Sequence, residues 1–433
     1  MRFNTNEHKA TLRVRMIEPM SDVAERNQQK NPPTRIHAVL IGYLSTALKE
    51  VFEEGKYADR VLEKTFRSNR VLGARDRAFI ATTFYDIVRF YRRLAYAAGE
   101  DHDWLRIISI YLLTNGSTRE PWMSTSENDW PEIQQRLDEA ERQRSLHESV
   151  PDELDHYCEE QLGSRWATEL HSLNERPPVI LRTNTLKLSR DKLIQRLRES
   201  GIECTAVEGS SSAIEVHSTK SLFTTDFFKS GFFEMQDSAS QRVAEMVAPQ
   251  PGMKVIDACA GAGGKSLHLA CLMQNKGRII ALDTEEWKLA ELKKRARRND
   301  IHIIETRVID SSKVIKRLEG YADRVLLDVP CSGIGVWRRN PDAKYKMDPE
   351  RIARIMDQQR EILQQYSRMV KPGGQLIYAT CSILPGENQQ QIDAFLAEHP
   401  EFKLDQCINL WPSEHGTDGF FIARMSRVVS RES

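Results

Sequence analysis

The sequence lacks an excess of charge of either sign. Its 433 residues include 62 Lys and Arg against 62 Asp and Glu, so the formal net charge is zero. A chain with this balance does not bind nucleic acid as a bulk polyelectrolyte, and any such contact has to come from a local patch. The hydrophobic fraction of 40% and the charged fraction of 29% exclude a mainly disordered or fibrous protein.

Long apolar runs and a disulfide pattern are also missing. No stretch approaches the roughly 18 apolar residues that span a bilayer, and the nearest, residues 107–113, is more typical of a buried helix segment. The first eight residues have no apolar core, which excludes a secretory signal. Seven scattered cysteines do not form a disulfide framework, so we expect a protein of the reducing cytoplasm without a membrane partner.

Four regions are predicted along the chain. Residues 1–32 are polar and lead to two prolines, which predicts a flexible leading segment. Residues 33–145 carry apolar residues at helical spacing, although 115–150 is poor in them and is predicted to be a linker with one solvated helix. Residues 146–236 predict a small α+β module. From 237 to 429, short apolar runs alternate with helix-length segments, the pattern of an α/β domain with a parallel, doubly wound sheet.

A glycine-rich segment joins the first of these apolar runs to a predicted helix. Residues 257–266 read Asp-Ala-Cys-Ala-Gly-Ala-Gly-Gly-Lys-Ser. A P-loop requires glycine where Cys259 stands, and a dinucleotide fingerprint requires Gly or Ala where Ser266 stands. An acidic strand end followed by Gly-x-Gly fits S-adenosylmethionine better, with Gly261 and Gly263 letting the backbone approach the cofactor. An ordinary tight turn is the alternative.

Two further carboxylates follow consecutive predicted strands. Asp283 ends the next apolar run, about twenty residues after the glycine turn, where a carboxylate can bind both ribose hydroxyls of a nucleoside. Asp310 follows the third run, where it could accept from an adenine amino group. Each alone is more often a helix cap or turn residue. Together they favour a ligand crevice at the carboxyl edge of the sheet.

Two cysteines follow the fourth and fifth predicted strands. Cys331 comes three residues after Asp328, and Cys381 directly follows Thr380. A lone cysteine is most often a small buried apolar residue. Beside a methyl donor, however, a thiolate can add to carbon 6 of a pyrimidine and make carbon 5 nucleophilic enough to be methylated. Asp328 would then hydrogen-bond the base and favour the proton that develops on its ring nitrogen.

These motifs resemble the Sun/RsmB-like family of RNA (cytosine-5) methyltransferases. The similarity is nearly continuous from about residue 177 to 424. The matching stretches are residues 182–186, 236–240, 257–266, 328–335, 339–342, 380–382, 387–388 and 418–423. One departure is the pair Gly261 and Ala262, where the family often has Ala-Pro.

The resemblance assigns roles that spacing cannot. It implies that Cys381 is the nucleophile, that Cys331 helps to release the product and that Asp328 recognises the base. It further implies a Rossmann-like catalytic domain at 237–429 that binds S-adenosylmethionine. The implied cofactor contacts are Cys259, Ala260, Gly261, Ala262, Gly263, Gly264, Lys265, Asp283, Asp310 and Asp328.

The helical region 33–145 resembles the NusB-like domain of the bacterial 16S ribosomal RNA members. Two basic runs favour phosphate contacts, although such runs are often only solvated helix faces. The first run contains Lys64, Arg67, Arg70, Arg75, Arg77, Arg89, Arg92 and Arg93, and the second contains Lys293, Lys294, Arg295, Arg297 and Arg298.

We therefore expect methylation of carbon 5 of a cytosine in RNA, most specifically in 16S ribosomal RNA, through a covalent adduct. RNA is the expected partner, S-adenosylmethionine the expected cofactor, and the protein is expected to be a monomer without a metal. Two alternatives stay open: methylation of transfer RNA, and a non-catalytic RNA-binding assembly factor. The intact cysteines and Asp328 argue against the second.

Overall fold

The computed structural model describes residues 36–99, 103–218 and 221–429. The predicted leading segment, residues 1–32, lies outside the described residues. The chain divides into two compact units. The first unit holds residues up to Ile87 and Tyr91–Ala140, and the second holds Val88–Phe90 and residues from Glu141 onward. Within the described ranges, no helix is both long and apolar enough to cross a membrane.

The described part of the first unit is helical. Its helices are α1 Ala38–Phe52, α2 Ala58–Ser68, α3 Ala74–Arg89, α4 Tyr91–Ala98, α5 Trp104–Thr114 and α6 Trp130–Glu141. The apolar stripe predicted for α1 is confirmed, since Leu44 and Leu48 are completely buried. Val39 belongs to the same predicted stripe but is 65% exposed in the first turn of the helix.

Helix α6 corrects the prediction for residues 115–150. A solvated helix in a linker was expected, but Ile133, Leu137 and Ala140 are buried. These three residues are spaced by four and three positions and so share one face of the helix. The prediction was wrong because low overall apolar content concealed a short but sufficient apolar stripe.

The second unit begins with three helices and a small sheet. The elements are α7 Arg144–His147, α8 Asp152–Leu162, α9 Arg165–Asn174, β1 Val179–Thr183, α10 Arg190–Glu199, β2 Cys204–Ala206, β3 Ala213–Val216, α11 Asp226–Lys229 and β4 Phe233–Met235. The antiparallel sheet has the order β2-β3-β1-β4. Strand β4 was not predicted, because three residues are too short to display a period.

A seven-stranded sheet follows in the same unit. Its elements are α12 Ser238–Val247, β5 Lys254–Asp257, α13 Gly264–Leu272, β6 Arg278–Asp283, α14 Glu286–Arg298, β7 Ile304–Val308, α15 Ser312–Lys316, β8 Ala322–Asp328, α16 Pro349–Tyr366, β9 Val370–Thr380, α17 Gln389–Glu398, β10 Phe402–Leu410, α18 Pro412–His415 and β11 Phe420–Arg427. Short 3₁₀ helices lie at Ile334–Val336, Pro341–Lys346, Ser367–Met369 and Pro385–Glu387.

The strand order is β10-β11-β9-β8-β5-β6-β7. Strands β5 to β9 are parallel, whereas β11 pairs antiparallel with both β9 and β10. The predicted α/β class with a parallel, Rossmann-like sheet is confirmed, and the antiparallel edge pair is an addition to it. Strand β10 was not predicted. Only its first residue is buried, so buried and exposed positions do not alternate along it.

Both faces of this sheet are covered, which explains why its strands are continuous apolar runs. Val255 and Ile256, adjacent on β5, are both fully buried but belong to different core clusters. Strand β5 lies between β8 and β6, and the chain order reverses there. Ligands of open α/β sheets bind at the carboxyl ends of the strands at such a reversal. The glycine-rich loop, Asp328 and both candidate cysteines follow those strand ends.

Candidate active site

The glycine-rich turn leaves open space on one side. Gly261 and Gly263 adopt left-handed backbone conformations, with φ of +54° and +84°. A Cβ atom on Gly261 would meet no atom within 4 Å, whereas one on Gly263 would lie 2.0 Å from Cδ1 of Leu292. Gly263 is therefore needed for the backbone turn and for the packing of α14. The open space beside Gly261 fits the predicted cofactor.

The two carboxylates predicted at the sheet edge differ in their environment. The Asp283 carboxylate accepts hydrogen bonds from the backbone N–H of Gly261 and of Glu285, both at 2.8 Å. It is thus held against the glycine-rich turn. Asp310 lies on the exposed rim after β7, where it accepts from the hydroxyl of Ser311. The parallel pairing of β6 and β7 places both residues at the same edge.

A third carboxylate is buried at the base of the turn. Oδ2 of Asp257 accepts from the Ser266 hydroxyl at 2.6 Å, while Oδ1 has no hydrogen-bond partner among the described residues. Burial raises the pKa of Asp257 to about 7. A buried acceptor without a partner is uncommon and fits a donor on a bound molecule. The residues of the turn therefore fit a nucleoside cofactor that carries a polar amino group.

The two predicted cysteines meet at neighbouring strand ends. Asp328 at the end of β8 lies opposite Ala379 of β9, so the segments after both strands leave the sheet side by side. The sulfur atoms of Cys331 and Cys381 are 3.3 Å apart. The hydrogen bond to Cys381, together with burial, raises the pKa of the Cys331 thiol well above its ordinary value.

A lysine–aspartate pair stands beside the cysteines. Nζ of Lys265 lies 2.6 Å from Oδ2 of Asp328 and 5.4 Å from the ring centre of Phe420. Burial opposes the charge of Lys265, but Asp328 and then Cys381 raise its pKa above the ordinary value. The resemblance counted Lys265 among the cofactor contacts. The structure pairs its ammonium group with Asp328, another of those expected contacts.

A buried glutamate beneath the cysteines has no role in the sequence-based prediction. Glu387 is completely buried and accepts from the backbone N–H of Ser332 at 2.7 Å and from the hydroxyls of Ser332 and Ser382. Its remaining donor is the amide of Gln359 at 3.0 Å. A signal was available, because each cysteine is followed by a serine, and two Cys-Ser pairs at adjacent strand ends predict a shared acceptor.

Backbone contacts of two glycines complete the site. The N–H of Gly335 donates to the carbonyl of Cys381 at 3.0 Å, and the N–H of Gly419 donates to the carbonyl of Gly335 at 2.7 Å. A Cβ on Gly335 would lie 2.2 Å from the Gly419 oxygen. Three segments that are far apart in sequence therefore cross at van der Waals contact next to Cys381.

The first basic run is only partly available for phosphate. Arg89 and Arg93 are 3% and 7% exposed and face protein interiors, so the prediction that they contact RNA is wrong. Lys64 bonds to Glu50. Arg70 and Arg75 are exposed. The predicted run included basic residues from both the buried and the exposed faces of its helices. Only the residues on the exposed face can contact RNA phosphates.

The second run is divided in the same way along α14. Arg295 and Arg298 form ion pairs with the buried Glu234 of β4. These two arginines hold the small sheet against α14 and are not free phosphate ligands, which corrects the prediction. The exposed members of the run are Lys293, Lys294 and Arg297. Within the described residues, no group of three or more His, Cys, Asp or Glu side chains could hold a metal ion.

Comparisons with known proteins agree with this geometry. The family model of 16S rRNA methyltransferase RsmB/F matches residues 244–426, and that of the ferredoxin-like domain of RsmF/B-like methyltransferases matches residues 150–222. The ribosomal RNA small subunit methyltransferase B of Photorhabdus laumondii is 34% identical over 302 residues, which cover 68% of this chain and 70% of that protein. The probable counterpart from Bacillus subtilis is 36% identical over 269 residues, 58% of this chain and 60% of its own.

Solved structures share the architecture. The crystal structure of PH0851 is 27% identical with a TM-score of 0.77, and the match covers 90% of this chain and 99% of that one. A methyltransferase homolog protein from Pyrococcus horikoshii is also 27% identical, with a TM-score of 0.59 and coverage of 66% and 98%.

Proposed function

The chain belongs to the RsmB/F family of 16S rRNA methyltransferases, and from that premise we propose that it methylates carbon 5 of a cytosine in 16S ribosomal RNA. S-adenosylmethionine is the methyl donor, and Cys381 forms the covalent adduct. The observation that carries the proposal is the pair of sulfur atoms 3.3 Å apart, next to the Lys265–Asp328 pair and the glycine-rich turn. The chain spans 60 to 70% of the relatives described above, so the substrate is part of the proposal.

The reaction begins at Cys381. Its thiolate adds to carbon 6 of the cytosine, and the ring becomes an enamine whose carbon 5 is nucleophilic. Asp328, held by Lys265, binds the polar edge of the base and favours the proton on the ring nitrogen. The cofactor, when bound, supplies an electrophilic methyl group.

Release requires the loss of the proton on carbon 5. That proton passes to water, its C–H electron pair restores the double bond between carbons 5 and 6, the electron pair of the carbon 6–sulfur bond returns to Cys381 as a thiolate, and the ring nitrogen gives up its proton. Cys331 is placed to act here because its sulfur lies 3.3 Å from that of Cys381. The ring leaves as 5-methylcytosine and the enzyme is regenerated.

The loop Cys259–Lys265 would hold the cofactor in this proposal. The open side of Gly261 would leave room for it, Asp283 would bind the ribose hydroxyls and Asp310 would accept from the adenine amino group. The Asp283 carboxylate already accepts two backbone bonds, so its orientation is fixed before the nucleoside arrives.

The RNA has to present an unstacked cytosine, because carbon 6 is inaccessible in an intact duplex. We assign phosphate contacts to the exposed basic residues Arg70, Arg75, Lys293, Lys294 and Arg297. Residues 33–145 are proposed as a NusB-like RNA-binding domain, 146–236 as a second RNA-binding module and 237–429 as the catalytic domain. The enzyme would act as a monomer in the cytoplasm.

Bisulfite sequencing of total RNA from a strain lacking the gene tests the proposal. We expect one 5-methylcytosine of 16S ribosomal RNA to disappear, and to return with the wild-type gene but not with Cys381→Ser. Loss of a methylated cytosine in transfer RNA instead would support the alternative substrate. Unchanged methylation together with defective ribosome assembly would support the non-catalytic alternative.

A further inference from the structure

The buried carboxylate of Glu387 connects the two cysteine-bearing segments. One of its oxygens accepts from the N–H of Ser332 and the amide of Gln359, and the other accepts from the hydroxyls of Ser332 and Ser382. Ser332 and Ser382 directly follow Cys331 and Cys381. One completely buried side chain therefore helps to fix the sulfur–sulfur distance.

The support given to the two segments is unequal. Glu387 accepts two hydrogen bonds from Ser332. It also accepts from the amide of Gln359, and the same amide donates to the carbonyl of Pro330 at 2.9 Å. The Cys331 segment thus depends on Glu387 on both sides of its cysteine. The remaining bond of the carboxylate goes to the Cys381 segment.

The Cys381 segment has anchors of its own. The hydroxyl of Thr380 donates to Asn388, whose amide donates to the carbonyl of Ser382 at 2.9 Å. The N–H of Gly335 donates to the carbonyl of Cys381, and this bond joins the two segments. Because the Asn388 anchors belong to the Cys381 segment alone, loss of the Glu387 carboxylate would displace Cys331 more than Cys381.

The charge of Glu387 also acts on Cys331. The charge of Glu387 contributes to the raised pKa of Cys331, after the larger effects of the Cys381 hydrogen bond and burial. Glu387 therefore favours the protonated thiol of Cys331.

We propose that Glu387 is a positioning residue that holds Cys331 within reach of the adduct formed by Cys381, and so sets the rate of product release. The inference rests on the proposed function for its chemistry but not for its geometry. Glu387 touches neither the base nor the cofactor, and it acts through Ser332.

The test compares Glu387→Gln with the matched control Glu169→Gln. Glu169 is also completely buried and accepts from the N–H and hydroxyl of one serine, Ser413. Glutamine keeps one acceptor oxygen but places an NH2 donor where the second carboxylate oxygen stood, so it cannot accept from all four donors. We expect Glu387→Gln to reduce turnover by about 10- to 100-fold, the cost of a small misplacement. The covalent protein–RNA adduct should accumulate, while Glu169→Gln behaves as wild type. Glu387→Asp, which keeps the charge, should be intermediate.

A second measurement needs no RNA. Dibromobimane becomes fluorescent when it alkylates two neighbouring thiols, and peptide mapping identifies the pair. Cross-linking of Cys331 to Cys381 should be about 10-fold slower in Glu387→Gln than in Glu169→Gln, since effective concentration falls as the geometry loosens. If the wild type cross-links but methylates no cytosine, the proposed function fails while the positioning role stands.

Three results would overturn the inference: equal cross-linking rates in the two variants, an unchanged fraction of adduct in Glu387→Gln, or a loss of methylation without any adduct. If Glu387→Gln does not fold, Ser332→Ala removes one of the four bonds and keeps the carboxylate. The fraction of adduct and the rate of cross-linking are then compared between Ser332→Ala and Ser413→Ala. Equal values in these two variants would overturn the inference.

Discussion

The sulfur atoms of Cys331 and Cys381 are neighbours with unequal surroundings. Cys331 lies over the buried Glu387 network, and the hydrogen bond to Cys381, burial and the charge of Glu387 raise the pKa of its thiol. Only a thiolate is an effective nucleophile, so this environment disfavours attack by Cys331. At the scale of single residues, the site therefore distinguishes two groups of identical chemistry.

Substitution of the two cysteines should give different products. We expect Cys381→Ala to abolish methyl transfer, because the sulfur that forms the covalent bond to carbon 6 is then missing. Cys331→Ala should instead accumulate a protein–RNA adduct, visible as a slower band in a denaturing gel. Cys407→Ala, at a half-buried position on β10, serves as the control. An adduct formed by the Cys381 variant would reverse the two roles.

The buried Asp257 predicts a pH dependence of stability. Its pKa in the folded protein is about 7, above its ordinary value of 3.8. The folded protein therefore binds this proton more tightly than the unfolded chain does. The stabilising contribution is complete below pH 3.8 and is lost as the pH rises towards 7. Relative to Asp257→Asn, the wild-type free energy of unfolding should fall by about 4 kcal/mol over this window. Urea denaturation at several pH values measures it, and parallel curves would contradict the assignment.

At the scale of elements, the turn between β5 and α13 contains two glycines with different roles. Gly263→Ala forces a left-handed φ and a contact with Leu292, and should destabilise the protein by about 2 kcal/mol or more. Gly261→Ala has the left-handed φ but no clash, so it should remain folded and lose affinity for S-adenosylmethionine instead. Thermal unfolding and calorimetric titration distinguish the two variants. Equal loss of stability would contradict the distinction.

Sequence analysis predicted the elements that have a regular helical spacing of apolar residues or a continuous apolar run. Strands β5, β6 and β8 are buried on both faces, so their apolar runs are nearly unbroken. Strand β10 and helix α6 were missed or misjudged because their burial is decided by neighbours distant in sequence. The same reason applies to the site. The motifs located both cysteines, but the role of Glu387 depends on three segments that meet only in the folded chain.

At the scale of the whole molecule, we propose that a chain without net charge contacts RNA through a few exposed side chains. Replacing Lys293, Lys294 and Arg297 together by alanine should reduce the salt dependence of RNA binding, with a change in slope of about 2. Filter binding at several salt concentrations measures it. The neighbouring pair Arg295→Ala and Arg298→Ala should mainly lower stability, because it breaks ion pairs with Glu234. An unchanged slope in the triple variant would place the RNA elsewhere.

The crossing of Gly335, Cys381 and Gly419 has a consequence for the order in which the protein is made. A ribosome synthesises both cysteines, the cofactor loop and Asp328 well before Gly419 and strand β11. Until that last strand leaves the exit tunnel, β9 lacks its antiparallel neighbour and the Gly335 carbonyl lacks its donor. The two cysteines therefore reach the arrangement described above only after Gly419 and strand β11 have been synthesised.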